Sequence, residues 1–159
     1  MSDSKTMTEA RGGISFVPAL HYKKPLAALD WLEKAFGFER TMLIIGDDER
    51  EMHAEMGFGN GTIMVGGEWD SRVVSPLSVD GRGTQDIHVF LSDEIKAHCA
   101  RARAAGATII QEPTEQFYGA CTYRALDIEG HMWTFSQQTR NVSREEMERA
   151  SGLKFRDKA

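Results

Sequence analysis

Two residues in the first half of the chain combine the side chains that proton transfer and metal binding require. His53 and Glu55 lie two positions apart in a run typical of a β-strand, so both side chains point to the same face. Such a pair can act as a general acid and base, or supply two metal ligands in a set that His21 or His88 completes. The alternative is a solvent-facing polar pair on an edge strand, and we favour this interpretation.

The remaining histidines and the cysteines indicate structure more than chemistry. His131 follows Gly130 and is expected to fix a turn by hydrogen bonding, whereas His98 falls on a helix and is expected at the surface. Cys121 is a candidate nucleophile, but the sequence places no base beside it, and a small buried thiol is the commoner case. Cys99 and Cys121 can form one disulfide at most, and we expect both to be reduced.

The elements that carry His53 and Glu55 form an ordered series over residues 14–67. An apolar strand, Ile14 to His21, precedes a helix that Pro25 begins and Gly37 ends. Its apolar stripe recurs at helical spacing: Leu26, Leu29, Leu32, Ala35 and Phe36. Three short strands follow, with separating turns rich in Gly, Asn and Asp that favour hairpins: Phe38–Ile45, Glu51–Phe58 and Gly61–Gly66.

Residues 85–138 repeat this order. Asp86 to Leu91 predicts a strand, Ser92 or Asp93 can cap a second helix, and Gly106 ends it. The inner stripe of this helix is Ile95, Cys99, Ala102 and Ala105. Three strand candidates follow: Ala107–Gln111, Tyr118–Leu126 and His131–Gln137. The interval from Gly37 to Gly61 equals that from Gly106 to Gly130, so the matching order of elements indicates a duplication.

Three further segments surround the two modules. Residues 1–13 are polar and are expected to form a flexible N-terminus. Residues 68–84 are predicted to be a linker, or a flap over a site. Residues 139–159 form a C-terminal extension, in which Ser143 and Glu146 match the capping box of a short helix that ends at Gly152.

The composition limits the classes of partner. The 19 basic and 24 acidic side chains give a net charge of −5, so no basic surface for nucleic acid is implied. The longest apolar runs are far shorter than the ~18–20 residues of a membrane span. The N-terminus lacks the hydrophobic stretch of a secretory signal, so we expect a cytoplasmic protein.

Three stretches resemble the vicinal oxygen chelate superfamily, which includes glyoxalase I, bleomycin-resistance proteins and extradiol dioxygenases. They are Leu26 to Glu39, His53 to Gly67 and Arg101 to Gln137. The turn from Asp127 to Trp133 (DIEGHMW) is the most specific part. The resemblance implies an α+β fold in which two β-α-β-β-β modules form a cupped, eight-stranded mixed sheet with the helices outside. It also implies a homodimer.

The chemistry of that superfamily uses a divalent metal, bound by His, Glu or Gln from the first and last strands of each module. Alignment by the helices and the final turns places the four equivalent positions at Val17, Met64, Ile87 and Thr134, which do not form a usable ligand set. A register shifted by one residue recovers only His88. We therefore expect neither the usual metal site nor any cofactor.

Loss of those ligands leaves an apolar floor, so the resemblance favours a hydrophobic or aromatic small molecule as the ligand, as in bleomycin-resistance proteins. The predicted lining consists of the four floor positions and aromatic side chains of the second module: Val17, Met64, Ile87, Thr134, Phe117, Tyr118, Tyr123 and Trp133. Trp31 is expected in the core. Arg124 and Asp127 can pair with each other instead of with a ligand.

Two alternatives stay open. One is a lyase, isomerase or dioxygenase whose divalent metal uses a displaced ligand set of His53, Glu55 and His88. The other is a non-catalytic scaffold for protein interaction. Fold alone does not separate these functions, because sites carry function and folds do not.

Overall fold

The computed structural model describes residues 12–157, and the chain divides into two units, Met1–Arg82 and Gly83–Ala159. Most of the predicted flexible N-terminus, residues 1–11, lies outside the described residues. Each unit contains one four-stranded mixed sheet with a helix between its first two strands. The predicted α+β fold of two β-α-β-β-β modules, with eight strands in all, is confirmed.

The first unit forms a sheet in the order β1-β4-β3-β2. Its elements are β1 (Ala19–Tyr22), α1 (Pro25–Phe36), β2 (Glu39–Ile44), β3 (His53–Phe58) and β4 (Gly61–Gly67). Strands β1 and β4 pair in parallel, and the other neighbours are antiparallel. Gly37 ends α1 in the left-handed conformation with φ 80°, as the sequence predicts, and its N–H donates to the carbonyl of Glu33.

One face of the first sheet packs under α1. Leu29, Leu32 and Phe36 of the helix are fully buried, as are the alternate strand residues Met56 and Val65. Because side chains alternate across a strand, the residues between these buried positions occupy the opposite face. We call the face directed away from the helix the far face of each sheet.

The second unit repeats this topology in the order β5-β8-β7-β6. Its elements are β5 (Ile87–Leu91), α2 (Ile95–Ala104), β6 (Thr108–Glu115), β7 (Ala120–Leu126) and β8 (Met132–Gln138). Strands β5 and β8 are parallel, as β1 and β4 are in the first unit. The repeated strand order supports the duplication indicated by the glycine spacing.

Strand β1 and helix α2 begin differently from the prediction. Strand β1 begins at Ala19 instead of Ile14, because Pro18 has no N–H for a ladder and instead accepts the Met64 N–H through its carbonyl at 2.8 Å. Helix α2 has no side-chain cap from Ser92 or Asp93. The Gln137 side-chain oxygen instead accepts the Ile95 N–H at 2.9 Å and so provides a partner for a backbone donor of the first helical turn.

Strands β6 and β7 also differ from their predicted bounds. β6 extends beyond Gln111 through Pro113, which an edge strand tolerates, and its pairing with β7 is irregular between Gln111 and Thr114. β7 begins at Ala120 instead of Tyr118. The preceding residues form a turn in which the Gly119 N–H donates to the Gln116 carbonyl at 3.1 Å.

Short helical elements lie in the remaining segments. Residues Pro76–Val79 form a single helical turn within the predicted linker or flap. The C-terminal extension contains α3 (Arg144–Ser151), and its capping box is confirmed: the Ser143 hydroxyl accepts the Glu146 N–H, and the Glu146 carboxylate accepts the Ser143 N–H. Within residues 12–157, each helix is too short or too polar to cross a membrane.

Candidate functional site

The far face of the first sheet carries the polar pair that the sequence singles out. His53 and Glu55 are paired with Gly66 and Met64 of β4, so all four share this face. His53 Nε2 lies 3.9 Å from Glu55 Oε1. The two side chains form an ion pair only when the imidazole is protonated. At this separation His53 Nε2 and Glu55 Oε1 are too far apart for a hydrogen bond or direct proton transfer.

His21 lies on the same face, on the other side of β4. Its position pairs with Gly66, and Nδ1 of its ring lies 3.1 Å from the Gly67 carbonyl oxygen. Gly66 has no side chain and leaves a gap between His21 and His53. Glycine is also required at the next position, 67, because a Cβ on Gly67 would lie 2.8 Å from the Arg50 Cα.

The strand registers identify the positions that correspond to superfamily metal ligands. Met64 lies opposite Ala19, and Thr134 lies opposite His88, so His88 instead of Ile87 shares a face with Thr134. One imidazole and one hydroxyl make a poor donor set for a divalent cation. Within residues 12–157 no group of three or more His, Cys, Asp or Glu side chains is arranged to hold a metal ion. The donors do not fit the metal of the superfamily.

His88 and Phe90 form the most distinctive feature on the far face of the second sheet. Their rings stack with centroids 5.0 Å apart and an interplanar angle of 11°. His88 Nε2 is hydrogen-bonded to the Ser136 hydroxyl at 2.8 Å, which fixes the imidazole on the sheet. Phe90 is 77% exposed, an unusual state for a strand phenylalanine. Stacking covers the face of each ring that is turned toward the other, and the rest of the Phe90 ring stays exposed.

The other polar side chains around His88 bond to one another. The Thr134 hydroxyl donates to Asp86 Oδ2 at 3.3 Å, and the Thr122 hydroxyl accepts from the Gln116 amide at 2.9 Å. Thr134, Ser136 and Thr122 are each less than 5% exposed. The far face of the second sheet therefore has a polar floor, in contrast to the apolar floor that the sequence predicts.

Three predicted lining residues lie on the side of the second sheet that faces α2. Tyr123 and Trp133 are fully buried, and Ile87 lies opposite Trp133. The Tyr123 hydroxyl is hydrogen-bonded to His98 of α2 at 2.6 Å, and burial raises the pKa of this phenol. These residues belong to the packing beneath the helix and do not share the face of Thr134. The prediction of Ile87 places the register of β5 one residue early, whereas Tyr123 and Trp133 are predicted only as aromatic residues of the last strands.

The other predicted lining residues have separate positions. Met64 and Thr134 lie on the far faces of their sheets. Phe117 and Tyr118 lie in the turn before β7, with their rings in an edge-to-face contact at 5.2 Å and Tyr118 42% exposed. Val17 precedes β1 and is half-buried.

Asp127 organises the turn that carries the most specific sequence motif. Its carboxylate accepts the backbone N–H groups of Glu129 and His131 and the indole N–H of Trp133, each at 3.0 Å. The predicted role of His131 in fixing the turn is thus carried by its backbone N–H. Asp127 does not pair with Arg124, so the pairing suggested by the sequence is wrong.

The cysteines and His98 have structural roles. Cys99 and Cys121 are free and buried, and burial raises the pKa of each thiol, which disfavours the nucleophilic thiolate. His98 was expected at the surface, but its ring also packs on Phe135 with centroids 4.6 Å apart. The predicted stripe omits position 98, which is three residues after Ile95 and four before Ala102 and so lies on the same side of the helix.

Sequence reasoning missed Phe90 and Ser136 as members of the site. Alternation along DIHVFL (86–91) already places His88 and Phe90 on one face, and this signal could have identified the aromatic pair. Ser136 could not have been found in this way, because its contact with His88 depends on the parallel pairing of β5 and β8.

Similar proteins agree with this architecture. TioX from Micromonospora sp. ML1 has 32% sequence identity and a TM-score of 0.62, covering 79% of this chain and 99% of its own. TnmS3, an antibiotic binding protein from Streptomyces sp. CB03234, has 17% identity and a TM-score of 0.60, over 79% of this chain and 98% of its own. Rv0887c of Mycobacterium tuberculosis, described as uncharacterized, is 27% identical over 137 residues, which are 84% of this chain and 79% of that protein.

A family match covers most of both modules. Residues 19–135 match the model of the Glyoxalase/Bleomycin resistance protein/Dioxygenase superfamily. The matched region extends from the start of β1 to the middle of β8. The match contains the far face of the first sheet, most of the far face of the second sheet and the Asp127 turn. This chain belongs to the Glyoxalase/Bleomycin resistance protein/Dioxygenase superfamily.

Proposed function

We propose that this chain is a small-molecule binding protein that holds a hydrophobic or aromatic ligand on the far face of its second sheet, without a catalytic metal or other cofactor. The observation that carries the proposal is the exposed Phe90 ring, stacked on an imidazole that Ser136 fixes in place. As parts of the same proposal, the protein is cytoplasmic and forms a homodimer.

The aromatic pair provides a favourable binding surface. Covering an exposed phenylalanine ring with an apolar ligand contributes on the order of 25 cal/mol for each Å² removed from water. Offset stacking of aromatic rings adds about 0.5–1.5 kcal/mol beyond this area term. Because the hydrogen bond to Ser136 already orients His88, little side-chain freedom is lost when a planar ligand binds.

The similar proteins support this proposal at the level of the fold. TnmS3 is described as antibiotic binding, and its architecture matches 79% of this chain. A shared fold does not transfer a ligand, so the class of ligand rests on the side chains of this chain. The predicted positions Thr134, Phe117 and Tyr118 belong to the same unit and stay candidates for further ligand contacts, whereas Met64 and Val17 belong to the first unit and stay separate predictions.

A thermal shift screen against aromatic drugs and metabolites tests the proposal. We expect a melting temperature that rises with ligand concentration, because a ligand that binds only the folded state stabilises it. Phe90→Ala should reduce the shift strongly. Phe155→Ala is the matched control, since this ring lies in the C-terminal extension and should leave the shift unchanged. Absence of any hit across a broad panel would favour the interaction scaffold.

The second candidate function is a metal-dependent reaction of the same superfamily. The geometry of His53 and Glu55 on one sheet face is the observation in its favour. Elemental analysis of protein purified without a metal-binding tag distinguishes the two functions. Stoichiometric Zn, Ni, Mn or Fe that is lost in both His53→Ala and Glu55→Ala would contradict the proposal, and we expect no such metal.

A further inference from the structure

Arg124 occupies an uncommon position for a charged residue without a partner. It lies on β7, an inner strand of the second sheet, opposite Thr134 of β8 and Gln111 of β6. Paired residues share a face, so Arg124 belongs to the far face together with His88. Its side chain is exposed. The guanidinium therefore stands in the middle of the proposed binding surface.

The polar neighbours of Arg124 are engaged elsewhere. Gln111 donates to the Thr122 hydroxyl, Thr134 donates to Asp86, and His88 is bonded to Ser136. Across residues 12–157, Arg124 itself makes no ion pair and no side-chain hydrogen bond. Two other exposed arginines, Arg50 and Arg72, each bind a nearby aspartate. The five N–H donors of Arg124 remain available to a ligand.

Apolar side chains adjoin this guanidinium on the same face. Leu126 and Met132 pair with each other across β7 and β8, one residue step along the face from Arg124 and Thr134, and both are half-buried. The stacked ring of Phe90 lies on the same face, on the edge strand β5. Arg124 and His88 are separated by one strand, so their Cα atoms are about 10 Å apart. This spacing suits one small molecule that contacts both.

We infer that the ligand is a planar aromatic molecule carrying a carboxylate or similar oxyanion, with its ring against the exposed Phe90 and its oxyanion on Arg124. The inference rests on the proposed function and defines its ligand class. A guanidinium binds a carboxylate through two parallel N–H donors, which gives both orientation and affinity.

Calorimetric titration with cinnamate and with neutral cinnamamide tests the inference, because the two probes share a shape and differ in charge. We expect cinnamate to bind about tenfold more tightly than cinnamamide, as a charged hydrogen bond permits. Arg124→Gln should remove this preference by weakening only cinnamate. Arg149→Gln, an exposed arginine of α3, is the matched control and should preserve it.

The possible failures of this experiment are distinct. Equal affinity for both probes in the native chain, or a preference that survives Arg124→Gln, would overturn the oxyanion inference and leave aromatic binding intact. If neither probe binds, the proposed function itself is overturned. Phe90→Ala should weaken both probes by a similar factor, and unchanged binding in that variant would also overturn the placement of the ring.

Discussion

At the scale of single residues, the same chemical type has different roles according to the face on which it lies. His88 is on the far face with Phe90, whereas His98 is hydrogen-bonded to the buried Tyr123 beneath α2. Arg124 and Asp127 are only three residues apart, yet one is exposed on the far face and the other is a buried turn organiser. The element and face to which each residue belongs explain these differences, and residue type alone does not.

Asp127→Ala tests the residue-scale account of the turn. The substitution leaves two backbone N–H groups and the buried indole N–H of Trp133 without their acceptor, so we expect a loss of about 2–4 kcal/mol in the free energy of unfolding. Urea titration measures it. Asp127→Asn retains one acceptor oxygen and should lose less. Asp93→Ala, at an exposed position, is the control, and an equal loss there would contradict the assignment.

At the scale of elements, Glu68 holds the segment that follows the first module. Its Oε1 accepts the Ser78 hydroxyl at 2.5 Å and the Ser75 N–H at 2.9 Å. The hydrogen bond from Ser78 lowers the pKa of Glu68 most, and that from Ser75 adds to the effect. Because the pKa of Glu68 is lowered in the folded chain, its carboxylate stabilises the folded segment fully at pH values above 4.5, its ordinary pKa. This stabilisation is lost as the pH falls through the lowered pKa of the folded chain.

Glu68→Gln tests this anchoring by hydrogen exchange. We expect amide protection in Pro76–Val79 to fall by about tenfold at neutral pH, because the variant lacks the charged acceptor. The difference between native chain and variant should shrink as the pH drops below 4.5. Glu145→Gln on α3 is the control. A difference that persists unchanged in acid would contradict a role for the carboxylate charge.

Elements with local signals were predictable, and elements that depend on distant contacts were not. Gly37 and the Ser143–Glu146 capping box define their helix boundaries within a few residues of sequence, and both predictions are confirmed. The start of α2 depends on the side chain of Gln137, which lies 42 residues away. The site follows the same rule, because the pairing of His88 with Ser136 exists only once β5 and β8 are in register.

At the scale of the whole molecule, an apolar edge strand supports the proposed homodimer. Leu43 and Ile44 of β2, together with Ile45, are 40%, 57% and 52% exposed. β2 is an edge strand of the first sheet, and an exposed apolar edge favours association with another chain. A second copy of this chain is the partner that we propose, since most small oligomers are symmetric homodimers.

Sedimentation of the native chain and of Ile44→Lys tests this association. We expect a dimer for the native chain and at least about tenfold weaker association for the variant, because a buried lysine charge is costly in an apolar contact. Ile128→Lys is the matched control, since Ile128 is 46% exposed in the Asp127 turn. A native chain that stays monomeric at every concentration would contradict the proposal.

The most direct test of the central claim is the dissociation constant of the best aromatic ligand, measured by calorimetry after chelator treatment. We expect the same dissociation constant before and after chelation, because the donors on the far faces do not fit the superfamily metal. We also expect binding about tenfold weaker in Phe90→Ala, on the scale of one lost ring contact. Binding that disappears with the divalent cation, or that ignores the loss of the Phe90 ring, would contradict the central claim.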